Sequence, residues 1–482
     1  MGSGLFPVNT RAALTALLCS AWLTLPAWAA SGVSNYIPLQ QSVRVEAEID
    51  RVIALTTGNA LIKPYKVADI QARLQQLRQS HPVLYKRVSQ YLSRYQQGAG
   101  VTLASAEVAV SDDAPGYLPN ARGKSADSAY EIALTGYYQP SEYLLLSAGG
   151  VYSDTDDFRA TASFIGIGHE YAQLDIGFRE HWYSPFKHGA MLMSTNAKAA
   201  PSVTLSNVRP ISDWNIRYEV FYSELTEVDQ IRLGDDIFPG KPRHAGVHIS
   251  ISPFENWTFG VNRTLQFGGG QREAGFGDFV DALFNPAGKD NIEDRSGDPN
   301  YEFGNQQASI TFRYHADWGM PLEIYGEYGG EDTEGEKNYK LGNTTTGFGI
   351  FAPYITDNLA LRFEFNHWTD LWYVHHIYRD GYVNDGLVMG HWGAVQVNEQ
   401  RAPGGSVHSV SAHWEISPER YVDTRLSVIR TEDDGRITFD TGYQLETTYS
   451  EVIENGILGL TLFVARDPWG DNQTRLSLNY QW

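Results

Sequence analysis

The last ten residues, Gln473–Trp482, restrict the fold more than any other stretch of the chain. Gln473, Arg475, Ser477, Asn479 and Gln481 alternate with Thr474, Leu476, Leu478, Tyr480 and Trp482. A period of two places each set on its own face of a β-strand. One face is apolar and ends in two aromatics; the other suits only water or a polar lumen. In a soluble sheet that apolar face would be an exposed, aggregating edge. In a membrane barrel the strand pairs with the first strand, lipid covers the apolar side and the aromatics enter the interfacial girdle. Outer-membrane lipid is therefore one expected partner. The barrel-assembly machinery, engaging through this strand, is another.

The rest of the chain agrees. Its 28 Tyr, 21 Phe, 12 Trp and 46 Gly suit a transmembrane barrel better than an α/β enzyme. Arg11, the apolar run Ala12–Leu25 and the small-x-small site Ala27-Trp28-Ala29 read as a signal peptide over residues 1–29. Cys19 sits within that apolar run behind Leu18, which argues against lipidation and leaves the mature chain without cysteine. The net charge of -20 grows by one negative unit when Arg11 is lost, and it excludes a generic nucleic-acid binder. No later run approaches the ~20 apolar residues of a spanning helix. The expected location is the outer membrane of a Gram-negative bacterium, reached as a barrel.

Residues 30–100 are helical in character. Ile70, Leu74 and Leu77 fall at i, i+4, i+7. Ser80 and Pro82 begin a second helix, with Leu84, Val88, Tyr91 and Tyr95 on one face. Ser42–Leu55 makes a third, with Ile49 and Ile53 aligned and Gly58-Asn59 as a stop. This region reads as a small periplasmic subdomain, a plug or packing base.

From residue 101 to 482 the period is two. Val247–Ile251, Ala308–Tyr314, Leu359–Asn366 and Ile457–Val464 are the clearest strands, and about eighteen can be placed in all. Short connections at Pro140-Ser141, Arg209–Asp213, Pro253–Glu255, Asp317–Met320, Ile355–Asp357 and Ser417–Arg420 carry turn residues. They alternate with mostly longer ones at Ser111–Asp127, Glu180–Pro201, Leu225–Arg243, Gln266–Gly304, Asp332–Thr344 and Asp370–Gly405. That alternation predicts an antiparallel up-and-down barrel, short turns in the periplasm and long loops outside. A soluble sandwich or propeller would need protein to cover the apolar faces, and no blade-length repeat is present.

No G-x-S-x-G, H-E-x-x-H or Walker sequence occurs, so binding rather than turnover is expected. His375-His376, read as strand neighbours, would point opposite ways and make a poor metal pair. Asp154–Asp157 and Asp332–Glu336 lack the full spacing of a calcium loop. Neither a metal nor a cofactor is expected. The Asp370–Gly405 loop carries more chemistry. Trp372, Tyr373, Tyr378, Tyr382 and Trp392 can stack on sugar rings, while Arg379 and Asp380 can pair with hydroxyls or carboxylates. Arg295 and Arg401 are further cations placed near these rings, which would suit an acidic polysaccharide. The same aromatics would equally pack the loop into the barrel mouth.

Glu180–Asn207 is the most distinctive stretch. Trp182, Ser184-Pro185, Met191, Ser194, Asn196-Ala197 and Pro201 resemble the capsule-assembly Wzi family of outer-membrane lectins. Ile49-Asp50-Arg51, Leu61–Pro64 and the aromatic last strand extend the resemblance over nearly the whole mature chain. Many members of that family carry a W-G-P-type turn where this chain has Trp182-Tyr183-Ser184-Pro185. The resemblance implies an eighteen-stranded barrel, a periplasmic helical bundle, loops that close the pore, and polysaccharide binding that anchors or assembles a capsular or exopolysaccharide layer. Met, Ala and Pro in the middle of Glu180–Pro201 favour a loop folded into the lumen as a plug over one in direct sugar contact. A porin for saccharides or other small polar solutes is the alternative function.

Overall fold

Strand alternation is realised as a closed ring. In Asn472–Gln481, Gln473, Arg475, Ser477 and Gln481 are buried inward, while Leu476 and Leu478 face outward, exposed. This strand pairs antiparallel with Ala99–Ser111, from Ser105 opposite Gln481 to Ser111 opposite Arg475. The Trp482 amide adds a hydrogen bond to the Ala104 carbonyl at 3.0 Å. First and last strands thus form the seam. A computed structural model describes residues 32–112, 116–155, 158–284, 300, 302–331, 341–395, 401–433 and 435–482. The signal peptide expected over residues 1–29 and Arg295 lie outside the described residues.

Among the described residues one sheet contains 19 strands. The two-residue piece Arg159–Ala160 and the strand Ser163–His169 both pair with Leu144–Ser153 and make one stave, so the closed barrel has 18. Every neighbouring pair is antiparallel, as in an up-and-down barrel. Short turns at Ser141–Leu144, His169–Ala172, Phe254–Trp257, Asp317–Pro321, Thr356–Leu359, Ser417–Arg420 and Ile453–Gly456 lie at one end. Tyr143, Tyr171, Trp214, Phe254, Trp318 and Trp482 are exposed around that end. They form the aromatic girdle that a bilayer interface selects. Between the ends, Ile249, Val261, Ile310, Leu361, Leu460 and Leu462 give an outward apolar belt.

Three helices precede the ring. In α1, Val43–Ala54, the Ser42 hydroxyl accepts from the Val45 amide, and Glu46 and Arg51 complement the two ends of the helix dipole. In α2, Val67–Gln76, Asp69 and Arg73 make an i,i+4 pair at 3.1 Å. Pro82 opens α3, Pro82–Leu92, where its missing N–H costs nothing. The expected cap at Ser80 is one residue early: His81 occupies that position and makes no side-chain cap bond. Ile49, Val52, Ile53, Ile70, Leu74, Leu77, Leu84 and Val88 share one apolar core, each worth about 1.5–3 kcal/mol of burial. The first strand begins at Ala99, two residues earlier than the sequence pattern indicates.

Candidate functional site in the lumen and at the mouth

The lumen is lined by charge, and much of that charge is paired. Arg313 lies 2.7 Å from Glu323, and Arg179 is bonded to Glu219, all four side chains being nearly inaccessible. A buried ion stays charged only when paired in this way. The space inside is filled by chain. Residues 180–197 enter from the end of the strand Ala172–Phe178 and are buried almost without interruption. Trp182 and Lys63 exchange two backbone hydrogen bonds of 3.0 Å, joining this plug to the helical region. The Ser184 hydroxyl donates to Glu327 at 2.9 Å, and the Pro185 carbonyl accepts from Arg313 at 3.2 Å. The Lys187 and His188 amides each donate to the Glu364 carboxylate at 2.8 Å. The wall thus supplies carboxylates where the plug presents donors and a guanidinium where it presents a carbonyl, which satisfies buried polar groups.

The farther half of the plug meets the Asp370–Gly405 loop. The Met191 carbonyl accepts from the Tyr373 hydroxyl at 2.7 Å. Ser194 donates its amide to the Met389 carbonyl at 2.8 Å, and Asn196 donates its side-chain amide to Val388 at 3.0 Å. Met191, Leu192 and Ala197 join Trp372, Tyr373, Tyr382 and Met389 in one apolar cluster. The approach is close: a Cβ on Gly390 would stand 2.3 Å from the Tyr373 hydroxyl and 2.5 Å from the Met191 carbonyl. Pro201 then starts the strand Pro201–Ser206 opposite Phe178.

This packing decides where the sequence-derived site residues stand. Trp372, Tyr373, Tyr378 and Tyr382 are all at most 2% exposed. Their ring faces meet protein, so the stacking platforms expected of these four side chains are instead the scaffold of the loop. The reason is local: Tyr378 donates to Gly268 at 2.9 Å, Tyr382 bonds His244 at 2.8 Å, and each phenol finds an internal partner that lets it bury. Arg379, Asp380, Trp392 and Arg401 remain partly exposed. The Asp380 carboxylate accepts from the Gln230 amide at 2.9 Å, and the Trp392 indole donates to His188 at 2.7 Å.

Beside the plug lies a cavity of about 470 Å³ with a mixed apolar and charged lining. Helix α1, the walls on both sides of the seam and the Leu118–Lys124 segment enclose it, with Glu46, Asp50, Arg122, Lys187, His413 and Arg475 among its lining. Burial acts against ionisation of Asp50, but Lys187, Arg362 and Lys63 outweigh it and hold the carboxyl well below the usual carboxylate range. Burial lowers the Lys63 ammonium to about 8 despite Asp50 and Glu364. Sequence periodicity did not reveal this cavity, because it arises where strands distant in the chain close against α1.

Sealed staves, an apolar belt with an aromatic girdle and an interior occupied by its own chain define an outer-membrane β-barrel with a plugged lumen. The chain belongs to the Wzi capsule-assembly family: the family model described as capsule assembly protein Wzi matches residues 57–400. It is similar in fold to Wzi of Escherichia coli, described as an outer-membrane protein involved in group 1 capsule assembly and a carbohydrate-binding β-barrel. The identity is 15%, the TM-score 0.68, and 94% of this chain and 99% of that one are covered. It is also 25% identical over 275 residues to an uncharacterized 55.8 kDa protein in the cps region of Klebsiella pneumoniae. That match covers 53% of this chain and 49% of the relative, so it spans about half the relative's length.

Proposed function

We propose that the protein is an outer-membrane lectin that holds capsular or exopolysaccharide on the cell surface, acting by binding and not by turnover. The filled lumen carries the reading. A conduit for solutes needs an open bore, whereas residues 180–197 occupy this one and bond to its walls. What remains for function is the face made by the long loops. We place that face outside the cell, with the short turns and α1–α3 in the periplasm. The carbohydrate-binding and capsule-assembly description of the Escherichia coli protein of similar fold supports the same role.

Within the loop face, Arg379, Asp380, Trp392 and Arg401 are the proposed contacts; Arg295, outside the described residues, is proposed as a further cation from the sequence alone. A protein of charge -20 repels an acidic polymer at long range, so local cations must reverse the sign where the polymer lands. The outward apolar face of Asn472–Gln481 is proposed as the feature met by the barrel-assembly machinery. Passage of small polar solutes is a second reading, favoured by the 470 Å³ cavity.

The test is titration of the purified barrel with oligosaccharides prepared from the cell's own surface polysaccharide. Binding should weaken about tenfold in Arg379→Ala with Arg401→Ala, the loss of one to two charge-assisted contacts. Full affinity in that variant moves the contacts elsewhere on the face, and no binding by the native barrel sinks the lectin reading. Epitope tags after Gly386 should be reached by antibody on intact cells, and a tag after Pro253 should not.

A further inference from the structure

Glu302 and the pair His375-His376 sit on two different long connections, yet their side chains meet. The chain around His375 is turn and coil, not strand, so the two imidazoles fall on one side, with ring centroids 4.6 Å apart. This reverses the expectation that they would diverge, which assumed a strand's period of two. His376 Nε2 lies 2.7 Å from one carboxylate oxygen of Glu302, and His375 Nε2 lies 3.3 Å from the other. All the donor atoms fall within 4.8 Å of one another.

Two imidazoles and a carboxylate are the donor set of a three-ligand zinc centre, with zinc–ligand distances of about 2.0–2.2 Å. Tetrahedral geometry at those lengths separates donors by roughly 3.3 Å, so small rotations of these side chains suffice. The surroundings hold the ligands in place. The His375 ring packs 6.4 Å from Tyr378, whose hydroxyl is anchored on the Gly268 carbonyl at 2.9 Å. Arg272 bonds the Glu302 backbone carbonyl, leaving the carboxylate to the histidines. His375 is buried, Glu302 partly so, and His376 is 47% exposed, which gives the cluster a protein floor and an open side. A fourth position on that side is accessible to water or to a ligand oxygen.

We infer that Glu302, His375 and His376 form a divalent transition-metal site, suited to Zn²⁺, that cross-links the 268–303 and 369–404 connections at the barrel mouth. The inference is independent of what the loop face binds. Ligation uses the neutral imidazole and the ionised carboxylate.

The probe is the metal alone. Tag-free barrel in detergent, stripped with chelator, is titrated with Zn²⁺ by calorimetry and with Co²⁺ by visible absorption. One equivalent should bind, and cobalt should give the intense bands of a four-coordinate site. His375→Ala with His376→Ala should weaken binding about a hundredfold or more and abolish those bands, while Glu302→Gln should weaken it about tenfold. Heat-modifiable migration on gels reports that each variant assembles. No stoichiometric binding by the native barrel overturns the inference, as does unchanged affinity in the double variant, which would put the metal on other groups. Should the double variant fail to assemble, Glu302→Gln decides alone, since its amide keeps the size of the carboxylate but not its charge.

Discussion

Asp50 Oδ2 lies 2.9 Å from Lys187 Nζ and 3.1 Å from Arg362 Nη2, so one carboxylate on α1 ties the helical region to the plug and to the barrel wall. Asp50→Asn removes the nearer counter-charge of two cations, leaving Lys187 with Glu46 at 3.6 Å and Arg362 with Glu364 at 3.7 Å. Removing one partner of a fully buried pair costs about 3–5 kcal/mol; partial solvent access to Lys187 reduces this to roughly 1–3 kcal/mol. The variant should assemble, yet limited proteolysis should cut α1 faster than in the native barrel. Identical cleavage rates would mean that the apolar core and the Lys63–Trp182 pairing hold the helices without Asp50.

Low conductance is expected of the native barrel in planar bilayers, because residues 180–197 bond to Glu327 on one wall strand and Glu364 on another. Deleting residues 183–194 should raise single-channel conductance several-fold. Large, stable channels from the native protein would favour the solute-passage reading.

Trp372→Ala tests the assignment of that ring to packing. Truncating a fully buried Trp typically costs about 3–5 kcal/mol, here charged to the plug–loop cluster. Protease should then cleave within 369–395 on intact cells, while the barrel migrates normally on gels. Loss of polysaccharide without any gain in cleavage would instead restore the ring to direct sugar contact.

A pH dependence follows from Lys66, which precedes α2. Burial drives its ammonium down from 10.5 to about 7, against the opposing pull of Asp175 and Glu219, while Arg179 and Arg217 add to the lowering. The folded value lies below the unfolded one, so between about 7 and 10.5 the unfolded chain holds the extra proton. Docking of α2 should therefore strengthen as pH rises through that window. Proteolytic protection of residues 66–76 should be greater at pH 9 than at pH 7, and Lys66→Met should remove the difference. Equal protection in the native protein at both values would show that the lysine is not desolvated as described.

The barrel was legible because its signal is local. Arg362 and Glu364 against Leu361 and Phe363 already tell inward from outward, and the closed sheet obeys that alternation. Ser42 and Pro82 mark helix starts through their own backbone chemistry. The interior was less legible because its partners are far apart in the chain. Nothing near Tyr373 indicates that Met191 will take its hydroxyl. The period-two reading failed at His375-His376 because a turn, not a strand, carries them, and the partner that makes sense of the pair is Glu302, on another connection.

The seam fixes an order of construction. Ala99–Ser111 and Asn472–Gln481 meet across almost the whole length of the chain, and Arg475 reaches over the join to Glu107, which Lys124 also holds at 2.7 Å. Residues 180–197 are by then enclosed on all sides, bonded to strands around the ring. A segment so large cannot pass between staves once every backbone group of the sheet is paired. The plug therefore has two ways in, through an open end of the ring or across the gap before the last strand arrives, and closure of the seam leaves only the first.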